Sequence, residues 1–251
     1  MNSPADIFSD AYDLGHTVNS LGFAKRDLLA FVAVSSPAEQ LPIYNQFVSS
    51  DSAIRKLATA HFPTRWGTFQ ILGFEGSFSD GKRKEEAVAL TMGDLKTQPP
   101  LVRSHSQCLT GDVFGSLRCD CRQQLEMALA MIAQEGFGIL IYEQQEGRGI
   151  GLMAKLQAYA LQDAGLDTVE ANERLGFKAD HREFALPAEI LKNIGVDRVR
   201  LLSNNPDKVA ALESAGIRVV ERVPCEVSAA PYAEDYLKTK KEKLGHLFTS
   251  R

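Results

Sequence analysis

The sequence predicts an α/β fold in which a mixed sheet is flanked by helices and preceded by a short helical N-terminal extension. Three observations carry that prediction. From about residue 101 onward, apolar runs of strand length alternate with stretches of helical periodicity, in the strand, loop, helix order that builds parallel βαβ units. Upstream, two β-prone runs at residues 68–72 and 87–91 flank a polar stretch at 77–85, which suggests an antiparallel pair and makes the sheet mixed. With 251 residues, 44% hydrophobic and 24% charged, the chain can bury a core in one large or two small domains.

Taken in order, residues 1–61 read as an N-terminal extension of unknown role, with a helix-start signal at Ser3-Pro4, an apolar patch at 28–34 and a second Ser-Pro pair at Ser36-Pro37. Composition changes around Phe62-Pro63-Thr64, where the main domain, 62–251, is expected to begin. After the strand pair and Pro99-Pro100, a short strand at Leu101-Val102 leads into a polar stretch, and Leu125, Ala128, Leu129 and Ile132 recur at helical spacing until Gly136. Residues 138–142 form the next strand and 143–151 its loop, and Leu152, Leu156, Tyr159 and Ala160 mark one face of a helix ending near Gly165. The last cycle runs from a strand at 199–202 through Ser203-Asn204-Asn205-Pro206. There Asn205 caps a helix with Pro206 at its first position, and a strand follows Gly216. Lys238, Lys240, Lys241, Glu242 and Lys243 read as the solvated face of a final helix.

Composition narrows the function classes. A formal net charge of −4 argues against bulk nucleic-acid binding, which needs a basic face, although a local basic pocket is allowed. Asp6, Asp10 and Asp13 stand where a signal peptide would be basic, and nowhere do eighteen apolar residues run together, so neither a signal peptide nor a membrane span is expected. Four cysteines, three of them clustered, suit a reducing, cytoplasmic setting and metal binding better than a disulfide framework.

The chemistry concentrates between Arg103 and Cys121. Cys108, then ten intervening residues, then Cys119 and Cys121, can bring three thiolates around one cation, a pattern that suggests zinc with a fourth position left for water or substrate. A four-cysteine structural site needs the fold to return Cys225 here, and buried apolar thiols are the plain alternative. Glu146-Gly147-Arg148-Gly149-Ile150-Gly151 lies between a strand and a helix, where glycines let backbone approach an anion, though a tight βα turn explains the glycines equally well. Asp180-His181-Arg182 offers a base beside a guanidinium or else an exposed charged loop, and Lys208 follows a helix start able to hold an anion. Tyr159 reads by default as a core tyrosine, and His105 and His181 as surface or core histidines.

Together, Arg103-x-His105-Ser106-x-Cys108-Leu-Thr-Gly-Asp112, Ser116-Leu-Arg-Cys119-Asp-Cys121, Glu146-Gly-Arg148, Asn172-x3-Gly176-Phe177 and Asn204-Asn205-Pro206-x-Lys208 resemble the GTP cyclohydrolase II family, in order over about residues 62–246. The resemblance implies opening of the imidazole ring of GTP with release of formate and pyrophosphate, the first committed step toward riboflavin. It implies zinc on Cys108, Cys119 and Cys121, magnesium with the triphosphate, and a homodimer. It implies GTP contacts from Arg103, Ser104, His105, Ser106, Gln107, Gln124, Glu146, Gly147, Arg148, Thr168, Ser203 and Lys208. Asp180 is then the proton acceptor, Tyr159 a catalytic tyrosine, and Arg182 either a nucleophile toward the α-phosphate or an electrostatic clamp on it. Two positions depart from the family pattern, Gln107 for its usual Glu and Ser203 for its usual Thr. The first 61 residues are too short for the dihydroxybutanone phosphate synthase domain often fused upstream, so a bifunctional form is not expected. Rival readings are a paralogue that binds GTP or releases only pyrophosphate from it, and a zinc-stabilised binding module.

Overall fold

The computed structural model describes residues 54–77, 84–227, 231–243 and 245–248. Ser3-Pro4, the patch at 28–34 and Ser36-Pro37 lie outside them.

One seven-stranded mixed sheet organises these residues, in the order β1-β2-β3-β5-β4-β6-β7. Strands β1 (Ile54–Thr64), β2 (Gly67–Ser77), β3 (Lys84–Met92) and β5 (Gly138–Glu143) pair antiparallel. Strand β5 then pairs in parallel with β4 (Leu101–Ser106), which pairs with β6 (Arg198–Leu202) and that with β7 (Arg218–Val223). The expected antiparallel pair is β2 and β3, with Gly73 opposite Val88. Strand β1 has no counterpart in the sequence reading. It runs through residue 62, and its side chains are almost all exposed, so it lacks the apolar alternation by which a strand is recognised.

Alternation along the central strands sends side chains into two cores. Val102, Ile139, Ile141, Val199 and Leu201 face helices α4 (Ala185–Ile194) and α5 (Pro206–Ser214), where Ile190, Leu191 and Leu212 meet them. Leu101, Leu140 and Leu202 face α1 (Cys121–Glu135), meeting Ala128, Leu129 and Ile132. Each fully buried side chain of this size contributes about 1.5–3 kcal/mol. Asn205 caps α5 by accepting from the Asp207 amide at 2.9 Å, with Pro206 in the first turn, as its sequence indicates.

Two sequence expectations are corrected, and two helix starts were not anticipated. On α2 (Leu152–Asp163), Leu156 is 43% exposed and Ala160 is exposed, because the helix packs on α3 (Thr168–Arg174) and the preceding turn instead of lying on the sheet. The third helix, α3, starts with a capping box between Asp167 and Glu170 that the sequence reading passed over, and α4 begins at Ala185 with Pro187 tolerated in its first turn. On the last helix, α6 (Glu234–Glu242), Lys238 and Lys241 are exposed but Lys240 is buried, because Asp120 pairs with it.

Candidate active site

The loops leaving the carboxyl ends of β4, β5 and β6 converge in the crevice where open α/β sheets bind ligands. Strand β4 ends in a π-helical turn, Leu109–Val113, that folds Cys108 against the start of α1. Asp112 ties the turn together, accepting from the Cys108 amide at 3.0 Å and the Tyr142 hydroxyl at 2.8 Å and meeting His105 Nε2 at 3.2 Å. His105 is buried and stacked on Tyr142, and burial holds its pKa below the ordinary histidine value.

Cys108, Cys119 and Cys121 meet, with all three sulfurs within 4.8 Å of one another. Cys108 and Cys119 are 3.7 Å apart at Sγ, close to the spacing of about 3.8 Å that tetrahedral Zn–S bonds require. Gly111 is needed here for space, since a Cβ on it would lie 2.8 Å from Cys119 Sγ and 3.1 Å from Cys108 Sγ. Hydrogen bonds from Cys119 and Cys121, with Lys155 nearby, hold the Cys108 thiol well below the usual range, and that sulfur in turn pushes Cys119 up to about 11 and raises Cys121. Three sulfurs competing over one negative charge would all ionise around a divalent cation. Soft donors, the tetrahedral spacing of the Cys108–Cys119 pair and a face open to the cavity fit zinc with a position to spare. Cys225 is buried in the α1-side core and stands outside the cluster, so the four-cysteine alternative is not formed.

Lys155, from α2, donates to Cys108 Sγ at 3.2 Å and to Glu146 at 2.7 Å. Although burial works against its charge, Glu146 and Cys108 hold its pKa above the ordinary value. Glu146 also accepts from the Leu109 amide at 2.7 Å, so its carboxylate staples the β5 loop to the metal-ligand turn. Gly147 and Arg148 both adopt left-handed backbone, φ 62° and 60°, and Arg148 is the one non-glycine residue with positive φ among those described. Such a conformation costs on the order of 1–2 kcal/mol for a residue with a Cβ. Both terminal guanidinium nitrogens of Arg148 are buried without a hydrogen-bond partner among the described residues.

Tyr159 reaches Thr110 Oγ1 at 3.2 Å, lies under the Arg118 guanidinium, and has its pKa raised by burial. Asp180 holds Arg182 in a two-pronged bridge of 3.0 and 2.5 Å. Burial opposes both charges, yet each partner outweighs it, so the Asp180 carboxyl is held low and the Arg182 guanidinium high. Lys208 donates to the Ser104 carbonyl at 2.9 Å and hydroxyl at 3.1 Å and lies 4.0 Å from fully buried Glu143, and burial lowers its pKa to about 7. Arg103 donates to the Leu202 carbonyl at 3.0 Å and to Gln124 at 2.7 Å.

Two adjoining cavities result. The first, about 700 Å³ with its mouth, is bordered by the three cysteines, Ser106, Gln107, Glu146, Gly147, Arg148, Tyr159, Thr168 and Arg182. The second, about 590 Å³, is bordered by Arg103, His105, Gln124, Ser203 and Lys208 and shares Ser106, Cys121, Arg148 and Arg182 with the first. Ser104 is buried behind them, and Asp180 faces a neighbouring cleft with His181, which is exposed and donates its amide to the Arg148 carbonyl. Lys155, Asn172, Tyr236 and Lys240 also border these cavities and were not proposed from sequence. Lys155 lies nine residues beyond Glu146, a signal of use only once the helix direction is known.

Residues 55–224 match the family model for GTP cyclohydrolase II. The GTP cyclohydrolase-2 of Buchnera aphidicola subsp. Acyrthosiphon pisum (strain APS) is 56% identical over 76% of this chain and 96% of its own length. The riboflavin biosynthesis protein RibBA of Aquifex aeolicus (strain VF5) is 45% identical over 97% of this chain, which spans 58% of that protein. Among solved structures, RibBX, a two domain 3,4-dihydroxy-2-butanone 4-phosphate synthase from A. baumannii, aligns with a TM-score of 0.38 at 16% identity over 69% of this chain and 42% of its own.

Proposed function

The chain belongs to the GTP cyclohydrolase II family, and on that premise we propose that the paired cavities bind GTP, open its imidazole ring and release formate and pyrophosphate. The product is a diaminopyrimidinone ribosylamine phosphate, and the reaction serves riboflavin biosynthesis. The observation that carries the reading is the cavity shared by a three-cysteine cluster and an Arg148 guanidinium whose terminal nitrogens have no hydrogen-bond partner among the described residues. One feature suits a metal, the other an anion.

Zinc on Cys108, Cys119 and Cys121, when bound, supplies the Lewis acidity that makes water nucleophilic near neutral pH, as ring attack at C8 requires. The chain's own groups do the rest. Tyr159 stands at the cysteines with its hydroxyl on Thr110, suited to hold or pass a proton at the purine. Arg148, bent inward by its strained turn, receives phosphate oxygens, and Lys208, Arg103, Ser203 and Thr168 border the room for the remainder of the nucleotide. Arg182 is held charged by Asp180, which favours a clamp on the α-phosphate over covalent attack by its nitrogen, with water as the phosphorus nucleophile. In the same reading Asp180 acts through Arg182, magnesium accompanies the triphosphate, the catalytic domain takes in all of β1 from Ile54 and so begins ahead of the boundary at residue 62 expected from sequence, and the enzyme is a cytoplasmic homodimer.

Incubation with GTP decides among the readings. Formate and pyrophosphate in equal amounts support the enzyme, pyrophosphate with GMP alone supports the paralogue, and neither product leaves a binding module. Light scattering, with and without GTP, tests the dimer.

A further inference from the structure

We propose that Tyr236 and Lys240 of α6 are positioning residues of the nucleotide site, Tyr236 directing the Arg148 guanidinium and Lys240 neutralising Asp120 between two of the clustered cysteines. The proposal rests on the GTP-binding reading above. It concerns a helix lying beyond residue 224, where the family match ends.

A relay of buried polar groups joins α6 to the site. Lys240 Nζ lies 2.8 Å from Asp120 Oδ1, with the two residues 8% and 3% exposed. The other Asp120 oxygen accepts from Gln124 at 2.6 Å, and Gln124 accepts from Arg103 at 2.7 Å. Asp120 stands between Cys119 and Cys121, so the ion pair also fixes the backbone that presents both sulfurs. The Tyr236 ring borders both cavities, with Arg148 Cζ 5.6 Å and Lys240 Nζ 4.4 Å from its centroid. Arg148 has no hydrogen-bond partner among the described residues at its terminal nitrogens, so the aromatic ring is the neighbour that limits where its charge points. The helix end is pinned in turn, the His246 amide donating to the Lys240 carbonyl at 3.0 Å and the Leu247 amide to the Asn204 carbonyl at 2.8 Å.

The charge arithmetic gives the effect a sign. Without Lys240, Asp120 becomes an uncompensated buried carboxylate in the wall of a cavity meant for a polyanion, and it repels a triphosphate more than a monophosphate.

Calorimetric affinities for a non-hydrolysable GTP analogue and for GMP, with melting temperatures alongside, test this on the full chain. Lys240→Met is expected to weaken the triphosphate by at least about tenfold and GMP by less. Adding Asp120→Asn is expected to recover most of the loss, and Lys240→Arg to recover what Lys240→Met loses. Tyr236→Leu is expected to weaken the triphosphate, and Tyr236→Phe to recover it. Equal losses for both nucleotides, or a double variant no better than Lys240→Met in folded protein, overturn the role of Lys240. Tyr236→Leu binding as tightly as the unaltered chain overturns that of Tyr236. If the unaltered chain binds neither nucleotide, the GTP reading itself fails and takes this inference with it.

Discussion

Gly111→Ala adds one methyl group at the most crowded point of the cysteine cluster. The new Cβ would stand 2.8 Å from Cys119 Sγ, 3.1 Å from Cys108 Sγ and 3.2 Å from Cys121 Cβ, and its backbone φ is not in the glycine-favouring region. In an open helical position the same change would gain up to about 1 kcal/mol, so any loss comes from crowding. Overpacking of this kind costs about 1–3 kcal/mol. In metal-free protein a thiol can rotate away, but metal-bound sulfurs cannot, so the strain falls mainly on the metal-bound state. At 1.4 kcal/mol per tenfold, zinc affinity should drop roughly 5- to 150-fold. Competition against a chromophoric chelator measures it. Gly73→Ala is the control, because nothing lies within 4 Å of a Cβ there. Zinc binding by Gly111→Ala at unaltered affinity would refute both the crowding argument and the assignment of these sulfurs to the metal.

Four further outcomes follow from the geometry. Burial lowers Lys208 to about 7 from 10.5, so below pH 7 both folded and unfolded chains hold the proton and the folded one carries the full cost of burying the charge. Between those values only the folded chain sheds the proton, so Lys208→Met should compare most favourably with the unaltered chain below pH 7 and progressively less so toward 10.5, as urea unfolding across that range would show. Arg182→Ala leaves the Asp180 carboxylate without its two-pronged partner and should suppress pyrophosphate release; normal release would remove both roles considered for this arginine. Tyr159→Phe loses one hydroxyl bonded to Thr110, so a purely structural tyrosine predicts a loss of about 1 kcal/mol with ordinary turnover, whereas the proposed role predicts turnover reduced by roughly a hundredfold. Gln107 borders the first cavity beside Cys108, and Gln107→Glu should change formate release little if the position only hydrogen-bonds; a large gain in turnover would favour the paralogue.

What could be read from the sequence depended on whether a signal was local. The capped start of α5, the strand pair β2 and β3, and the three-cysteine spacing are short-range patterns, and each appears in the fold. Lys240 shows the opposite case. Its pairing with Asp120 spans 120 residues, so in sequence it looks like one more lysine on a solvated face, and only the packing of α6 reveals a buried ion pair. Strand β1 was missed because its side chains are almost all exposed and show no apolar alternation, and the predicted face of α2 failed because Leu156 and Ala160 point away from the sheet.

The cations make the same point more sharply. From sequence, Arg103, Arg118, Arg148, Arg182 and Lys208 count alike toward offsetting the charge of a triphosphate. In the fold they differ. Arg118 pairs with Asp163 and lies over Tyr159, Arg103 is engaged by Leu202 and Gln124, Arg182 is bound to Asp180, and Lys208 is turned to Ser104. Arg148 alone among the five has both terminal nitrogens buried and unpartnered among the described residues, on a backbone held in an unfavourable conformation. A buried guanidinium in that state is costly unless an anion completes it. The first contact of the phosphate chain is therefore expected at Arg148, with the other cations repartnering only as the ligand displaces what they already hold.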